Sequence, residues 1–256
     1  MAAVMLHALI QAGALVSVTV DTEASFPGGT YVYKFTSRDY AASNSLKESI
    51  QKDLGLKSNA ETVDMLYGLY LDDPNQLSGR AQRFAYGLLT DSSGSDQDKT
   101  LMALNDERTP ATAVELEDLG AAFLWPKLTY EKTKLPATAA LVATFPYTNG
   151  FVSAMMLGLK VIPALRKAAA VEGAAPIVVV STCSVKQSTC THYVPLKQGK
   201  PFLLGQADFE THLVQVGPQP AMIDWDGVKK GLRRLRGYLD VFGLFKEGSA
   251  TAQEEL

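Results

Sequence analysis

From Thr138 to Leu196 the chain reads TAALVATFPYTNGFVSAMMLGLKVIPALRKAAAVEGAAPIVVVSTCSVKQSTCTHYVPL, and this stretch constrains the fold more than any other. Thr138–Phe145 is a run of β-branched and apolar residues that stops at Pro146, which predicts a strand. Thr148 or Asn149 then offers an N-cap. Phe151, Met155, Leu159, Ile162 and Leu165 follow at helical spacing and lay one apolar stripe along a helix. Pro163 would break an ideal helix, so the expectation is a single kinked helix ending at Gly173. Ile177–Cys183 and Cys190–Leu196 are two further β-rich runs, close enough to form a hairpin. The order is strand, helix, strand, strand.

The same order occurs earlier in the chain. Thr30–Thr36 is strand-like, and Asp39–Leu54 has helical composition and ends at Gly55. Thr62–Leu71 and Arg83–Leu89 read as strands around the turn-rich DDPNQLSG. Two copies of one element order predict an α+β protein with halves at about 30–90 and 137–196, each a natural size for a duplicated half-domain.

The 256 residues are 46% hydrophobic and 20% charged, which is ordinary globular composition with ample material for a core. A net charge of −3 and a pI near 5.7 give no electrostatic reason to expect nucleic acid. Residues 1–20 carry no charge. Val16, Val18 and Val20 alternate with Ser17 and Thr19, so Leu15–Val20 is expected as a strand. The apolar segment 1–14 is then shorter than the ~20 residues that span a bilayer. It is expected as a helix packed on the domain or lying on a membrane surface.

Asp91–Asp98 is polar and rich in glycine and serine, and reads as a loop. Thr112 with Glu115 makes a capping box for a helix to Phe123, and Leu124–Lys132 leads by a strand into Leu135. After Leu196 come a turn, a short mixed stretch to Leu213, and the chain-breaking Gly217–Pro220. Asp224 caps a last amphipathic helix in region 214–247. Its basic face holds Lys229, Lys230, Arg233 and Arg234, suited to solvent or to an anionic membrane surface. Residues 248–256 are a short tail.

Two cysteines and three histidines are too few for a disulfide framework or a zinc fold. A hairpin centred on Lys186–Gln187 places Cys183 opposite Cys190 and turns His192 to the same face. Free thiols, a cross-strand disulfide and a Cys2His metal site are all compatible with that arrangement. No nucleophile elbow, P-loop or dinucleotide-binding glycine motif is present, and no cofactor or resident metal is expected. Aromatic residues recur on the expected strands, with Tyr31, Tyr33 and Phe35 on a single face. Each could simply fill the core. Together, Tyr33, Tyr67, Tyr86 and Tyr193 could wall a cleft between the halves, with apolar rings and polar tips for a flat organic ligand. Glu131 stands at its edge as a counter-charge for a cation or as a general base.

ATFPYT (Ala143–Thr148), the helix with its internal Pro163, HYVPL (His192–Leu196) and the following Lys197–Gly199 together resemble the GyrI-like domain of the testis-expressed ER-phagy receptor family. VYKF (Val32–Phe35), YLDDP (Tyr70–Pro74) and AYGLL (Ala85–Leu89) fit that pattern upstream. The resemblance spans about Val16 to Leu204. It implies two strand-helix-strand-strand (SHS2) modules around a ligand groove over about 15–213, with an additional C-terminal helix. The superfamily includes effector-binding domains and hydrolases. That receptor family also carries a membrane anchor and an acidic tail with an autophagy-adaptor motif. Here Tyr238–Leu239–Asp240–Val241 matches such a motif only inside the expected amphipathic helix.

The leading expectation is a module binding a small hydrophobic or cationic organic ligand. Glu131 activating water in a hydrolase is the first alternative. A membrane-associated adaptor, cytoplasmic and attached to an ER-type membrane through residues 1–14 and the basic helix, is the second.

Overall fold

The computed structural model describes residues 2–55, 66–74, 76–77, 81–91, 96–107, 128–148, 151–174, 178–184, 186–197 and 199–217. The first half contains β2 (Gly29–Ser37), α2 (Ser43–Asp53), β3 (Leu66–Tyr70) and β4 (Arg83–Thr90), preceded by α1 (Ala2–Gln11) and a short β1 (Ser25–Phe26). Then come α3 (Asp96–Glu107) and β5 (Glu131–Leu135). The second half contains β6 (Thr138–Pro146), a helix made of α4 (Phe151–Met156), a π turn (Leu157–Val161) and α5 (Ile162–Val171), then β7 (Val179–Ser184) and β8 (Thr189–Pro195). A 3-10 turn at Lys200–Leu203 and α6 (Phe209–Val216) follow.

The protein is α+β. Its strands form one eight-stranded sheet in the order β1-β6-β8-β7-β3-β4-β2-β5, antiparallel throughout and curled into a half-barrel. Each half reads strand, helix, strand, strand, and the last strand of each lies in the middle of its own three. The halves join where β3 pairs with β7, with Tyr67 opposite Thr182 and Tyr70 opposite Val179. β4 is buried at every position, because α2 packs on one side of it and an aromatic layer covers the other. A strand covered on both faces reads as a continuous apolar run rather than an alternating one, and RFAYGLLT does so.

On the helical side, Leu46 and Ile50 of α2 and Ile162, Leu165 and Ala169 of α5 are buried. Gly55 and Gly173 end the two helices at positive φ, as C-terminal glycines do. Pro163 falls in the first turn after the π turn, at the start of α5. A widened turn there accepts a residue that has no N–H to donate and whose ring would clash with a regular preceding turn.

Two expectations are corrected. Leu15–Val20 forms no strand: Lys160 Nζ donates to the carbonyls of Gly13 and Ala14 just before it and of Val16 near its start, and sheet pairing begins only at Asp21. Asp96–Asp98, assigned above to a loop, is the first turn of α3. Asp96 and Asp98 sit where the helix dipole favours carboxylates, and Asp98 is buried against Thr90 and Lys132. The expected helix from Thr112 and the C-terminal helix bearing Lys229, Lys230, Arg233 and Arg234 lie outside the described residues. Among the described residues, no helix is long and apolar enough to cross a membrane.

The sequence YLDDP becomes two ionic links, one buried and one partly buried. Asp72 takes the Arg83 guanidinium through both oxygens, with Arg83 Nη2 at 2.6 Å from Oδ1 and Nε at 3.0 Å from Oδ2, and it also accepts the Arg83 backbone N–H. Arg83 Nη1 donates to the Ala207 carbonyl at 2.8 Å, and the Tyr40 hydroxyl donates to the Asp72 carbonyl at 2.9 Å. Asp73 pairs with Arg166 of α5, tying the first half to the second. Removing one member of a buried pair strands the other charge. Asp72→Ala should therefore lower unfolding stability by about 3–5 kcal/mol in denaturant titration; a loss below about 1 kcal/mol would show that the pair is not buried as described.

Candidate functional site

Strand parity decides which side chains share the face away from the helices. Tyr33 stands opposite Gly87 on one side and Glu131 on the other. Gly87 faces Tyr67, Tyr67 faces Thr182, Thr182 faces Thr191, and Thr191 faces Thr144. A single transverse row thus runs from a carboxylate through two tyrosines to three threonines. Two residues along the strands, the next row is Phe35, Ala85, Leu69, Val180, Tyr193 and Val142. Gly87 must be glycine: a Cβ there would lie 2.2 Å from the Val32 carbonyl oxygen and 2.6 Å from Tyr33 Cβ.

The structure places Glu131 on the surface at the end of the first row, where its Oε2 accepts a hydrogen bond from the Tyr33 hydroxyl at 2.8 Å. Tyr33 is only 3% exposed. Its ring stacks on Tyr31 with centroids 5.0 Å apart, and Tyr31 donates to the Tyr67 carbonyl at 2.9 Å. Burial, then the hydrogen bond to Glu131 and its negative charge, drive the Tyr33 phenol far above its ordinary pKa. Tyr33 is therefore a permanent donor that orients Glu131, rather than a wall that a ligand could touch.

Tyr67 and Tyr193 come from different halves and are both half-buried on this face. Phe26 of β1 bridges them edge-on, at 6.3 Å from Tyr67 and 5.5 Å from Tyr193. Phe202 backs Phe26 at 5.3 Å, and Leu203 and Leu204 complete the layer. The seam is thus roofed by an aromatic layer that the sequence reading missed. Its trace in the sequence is Phe26-Pro27-Gly28-Gly29, an isolated aromatic at a chain reversal. Phe35 and Val142 stay half-buried beside the layer.

Tyr86 does not join them. It stands opposite Lys34 and Gly68 and so occupies the helical face, buried at 4% exposure. A Cβ on Gly68 would meet its ring at 2.7 Å. One residue of strand offset reverses the face, and Tyr86 is out of step with Tyr67 and Tyr33.

Also on that face, Cys183 and Cys190 are directly opposite and joined as a disulfide. The next pair is Ser181 and His192, with Ser181 Oγ 2.7 Å from Nδ1. Among the described residues no three His, Cys, Asp or Glu side chains are grouped to hold a metal ion. Burial lowers the His192 pKa from 6.5 to about 3, because the charged ring cannot be solvated there.

No protein-family model matches the chain, and no curated protein matches it significantly.

His192 makes stability depend on pH with a definite sign. The unfolded chain protonates this ring near its ordinary pKa and the folded chain does not, so its contribution is full above pH ~6.5 and declines towards pH ~3. At pH ~5 the loss is about 2 kcal/mol. His192→Asn, which keeps a hydrogen-bonding group for Ser181, should flatten that slope in denaturation at about pH 7.5 and 5. An unchanged slope would place the acid sensitivity elsewhere.

Proposed function

We propose that the protein is a binding module for a small, flat, mainly hydrophobic organic molecule held against Tyr67 and Tyr193. One observation carries this reading: two half-buried tyrosines, one from each half, flank the β3–β7 seam on the face opposite α2 and α5. Aromatic rings that keep an accessible portion offer area at low entropic cost to a planar ligand. The element order is also what a GyrI-like domain of two SHS2 modules would have, and the superfamily assignment belongs to this proposal.

Glu131 supports a cationic ligand only under a length condition. It lies three strands from Tyr67 along the row, about 14 Å at normal strand spacing. A compact aromatic cation cannot engage both. An elongated one can, with its ring at Tyr67 and its charge at the carboxylate that Tyr33 holds in place. The same Tyr33–Glu131 pair would serve a hydrolase, with the phenol fixing the carboxylate that activates water.

Acridine and N-methylacridinium share a ring system and differ in charge, and neither spans the distance from Tyr67 to Glu131, so both test the aromatic contact alone. Both should raise the melting temperature by several degrees at about 100 times Kd, and Tyr193→Ala should remove the effect. No shift at saturation with either compound, in the wild type and in Phe26→Ala alike, would contradict the binding reading. Consumption of an aryl ester by the wild type but not by Glu131→Gln would move the assignment to a hydrolase.

A further inference from the structure

The ring that bridges Tyr67 and Tyr193 belongs to the protein itself. We propose that Phe26 is a built-in occupant of the aromatic site, carried on a displaceable strap, and that a ligand binds by exchanging with it. This inference rests on the binding reading above and specifies how that site is regulated.

Phe26 has the chemistry proposed for the ligand. It is a flat, uncharged ring, wholly buried, lying edge-on to one tyrosine from each half. The segment that delivers it is held differently from the sheet beneath. Every residue from Val16 to Ser25 is exposed or half-buried. β1 contributes two residues, pairing Ser25 with Ala139 and Phe26 with Thr138. One bridge, Asp21 to Val142, precedes it. Segments with few buried apolar contacts and exposed backbone hydrogen bonds are the ones that open at low free energy.

The segment re-enters the fold at a fixed point. Gly28 and Gly29 adopt φ of +72° and +147°, and a Cβ on Gly28 would lie 2.4 Å from the Ala137 nitrogen. The strap therefore turns at Pro27–Gly29, and Phe26 is its last residue before the turn. Lifting it exposes the facing parts of Tyr67 and Tyr193 while β2 and β6 stay paired with β4 and β8. Occupancy by a tethered ring lowers the apparent affinity of a free one by the fraction of time that the site is open.

A covalent lock tests this. Ser25 and Ala139 are both exposed, and the bond from Ala140 N to the Ala24 carbonyl makes them a non-hydrogen-bonded pair. Such pairs have Cα atoms about 4.5 Å apart, within disulfide reach. The double variant Ser25→Cys/Ala139→Cys, oxidised, should bind acridine at least about tenfold more weakly than the wild type. Opening the lock with dithiothreitol should restore binding, with the wild type under the same reductant as control for the native disulfide. Equal binding by the wild type and the oxidised lock would overturn the strap and leave the binding site standing. If the wild type does not bind acridine and Phe26→Ala does, the strap is a complete plug and the proposal holds. If neither binds, strap and binding site fall together. Should Phe26→Ala not fold, Phe26→Leu, which keeps apolar volume without the planar ring, takes its place.

Discussion

The pairing of β3 with β7 is the contact on which the rest depends. It merges two three-stranded units into one sheet and fixes the relative parity of their side chains. With Tyr67 opposite Thr182, the residues of both halves fall into common transverse rows, so Tyr67 and Tyr193 emerge on the same side. A slip of one residue would send one tyrosine to the helical face and leave the other behind. Period-two alternation, carried across a single seam, assembles the candidate site.

Charge pairing also ties the two halves together just past the end of β3. Asp72 and Asp73 are adjacent, yet they serve different partners: Arg83 of their own half and Arg166 of the other. Buried ion pairs add little net stability relative to apolar packing of the same volume. Their effect here is directional. Arg166 also lies over the Phe209 ring, 5.5 Å from its centroid, so α5, α6 and the segment after β3 converge on one cluster. Each half thus contributes a group that would be unsatisfied if the other were displaced.

The element order of both halves was legible because strand alternation and helical spacing are local signals. Gly55, Gly173 and the Cys183–Cys190 register could be read in the same way. What could not be read required knowledge of parity across strands distant in sequence. Tyr86 and Tyr67 look equivalent along the chain, and only the pairing of Gly68 with Tyr86 reveals that they face opposite ways. Leu15–Val20 had the alternation of a strand, but sheet pairing begins only at Asp21, and the Val16 carbonyl goes to Lys160. Asp96–Asp98 had loop composition, and its acidic residues proved to be suited to a helix start. Glu131 was legible as a residue at the rim, whereas its hydrogen bond to Tyr33 depends on β5 pairing with β2. Phe26 was invisible because a two-residue strand has no period.

One ring, Phe26, joins tyrosines contributed by both halves on one face of a continuous sheet. Aromatic proton NOEs in a sample labelled at Phe and Tyr test it directly. Cross-peaks should run from the Phe26 ring to both Tyr67 and Tyr193, and none from Phe26 to Tyr86. Cross-peaks to only one of the two tyrosines, or to Tyr86, would mean that the halves do not share that face.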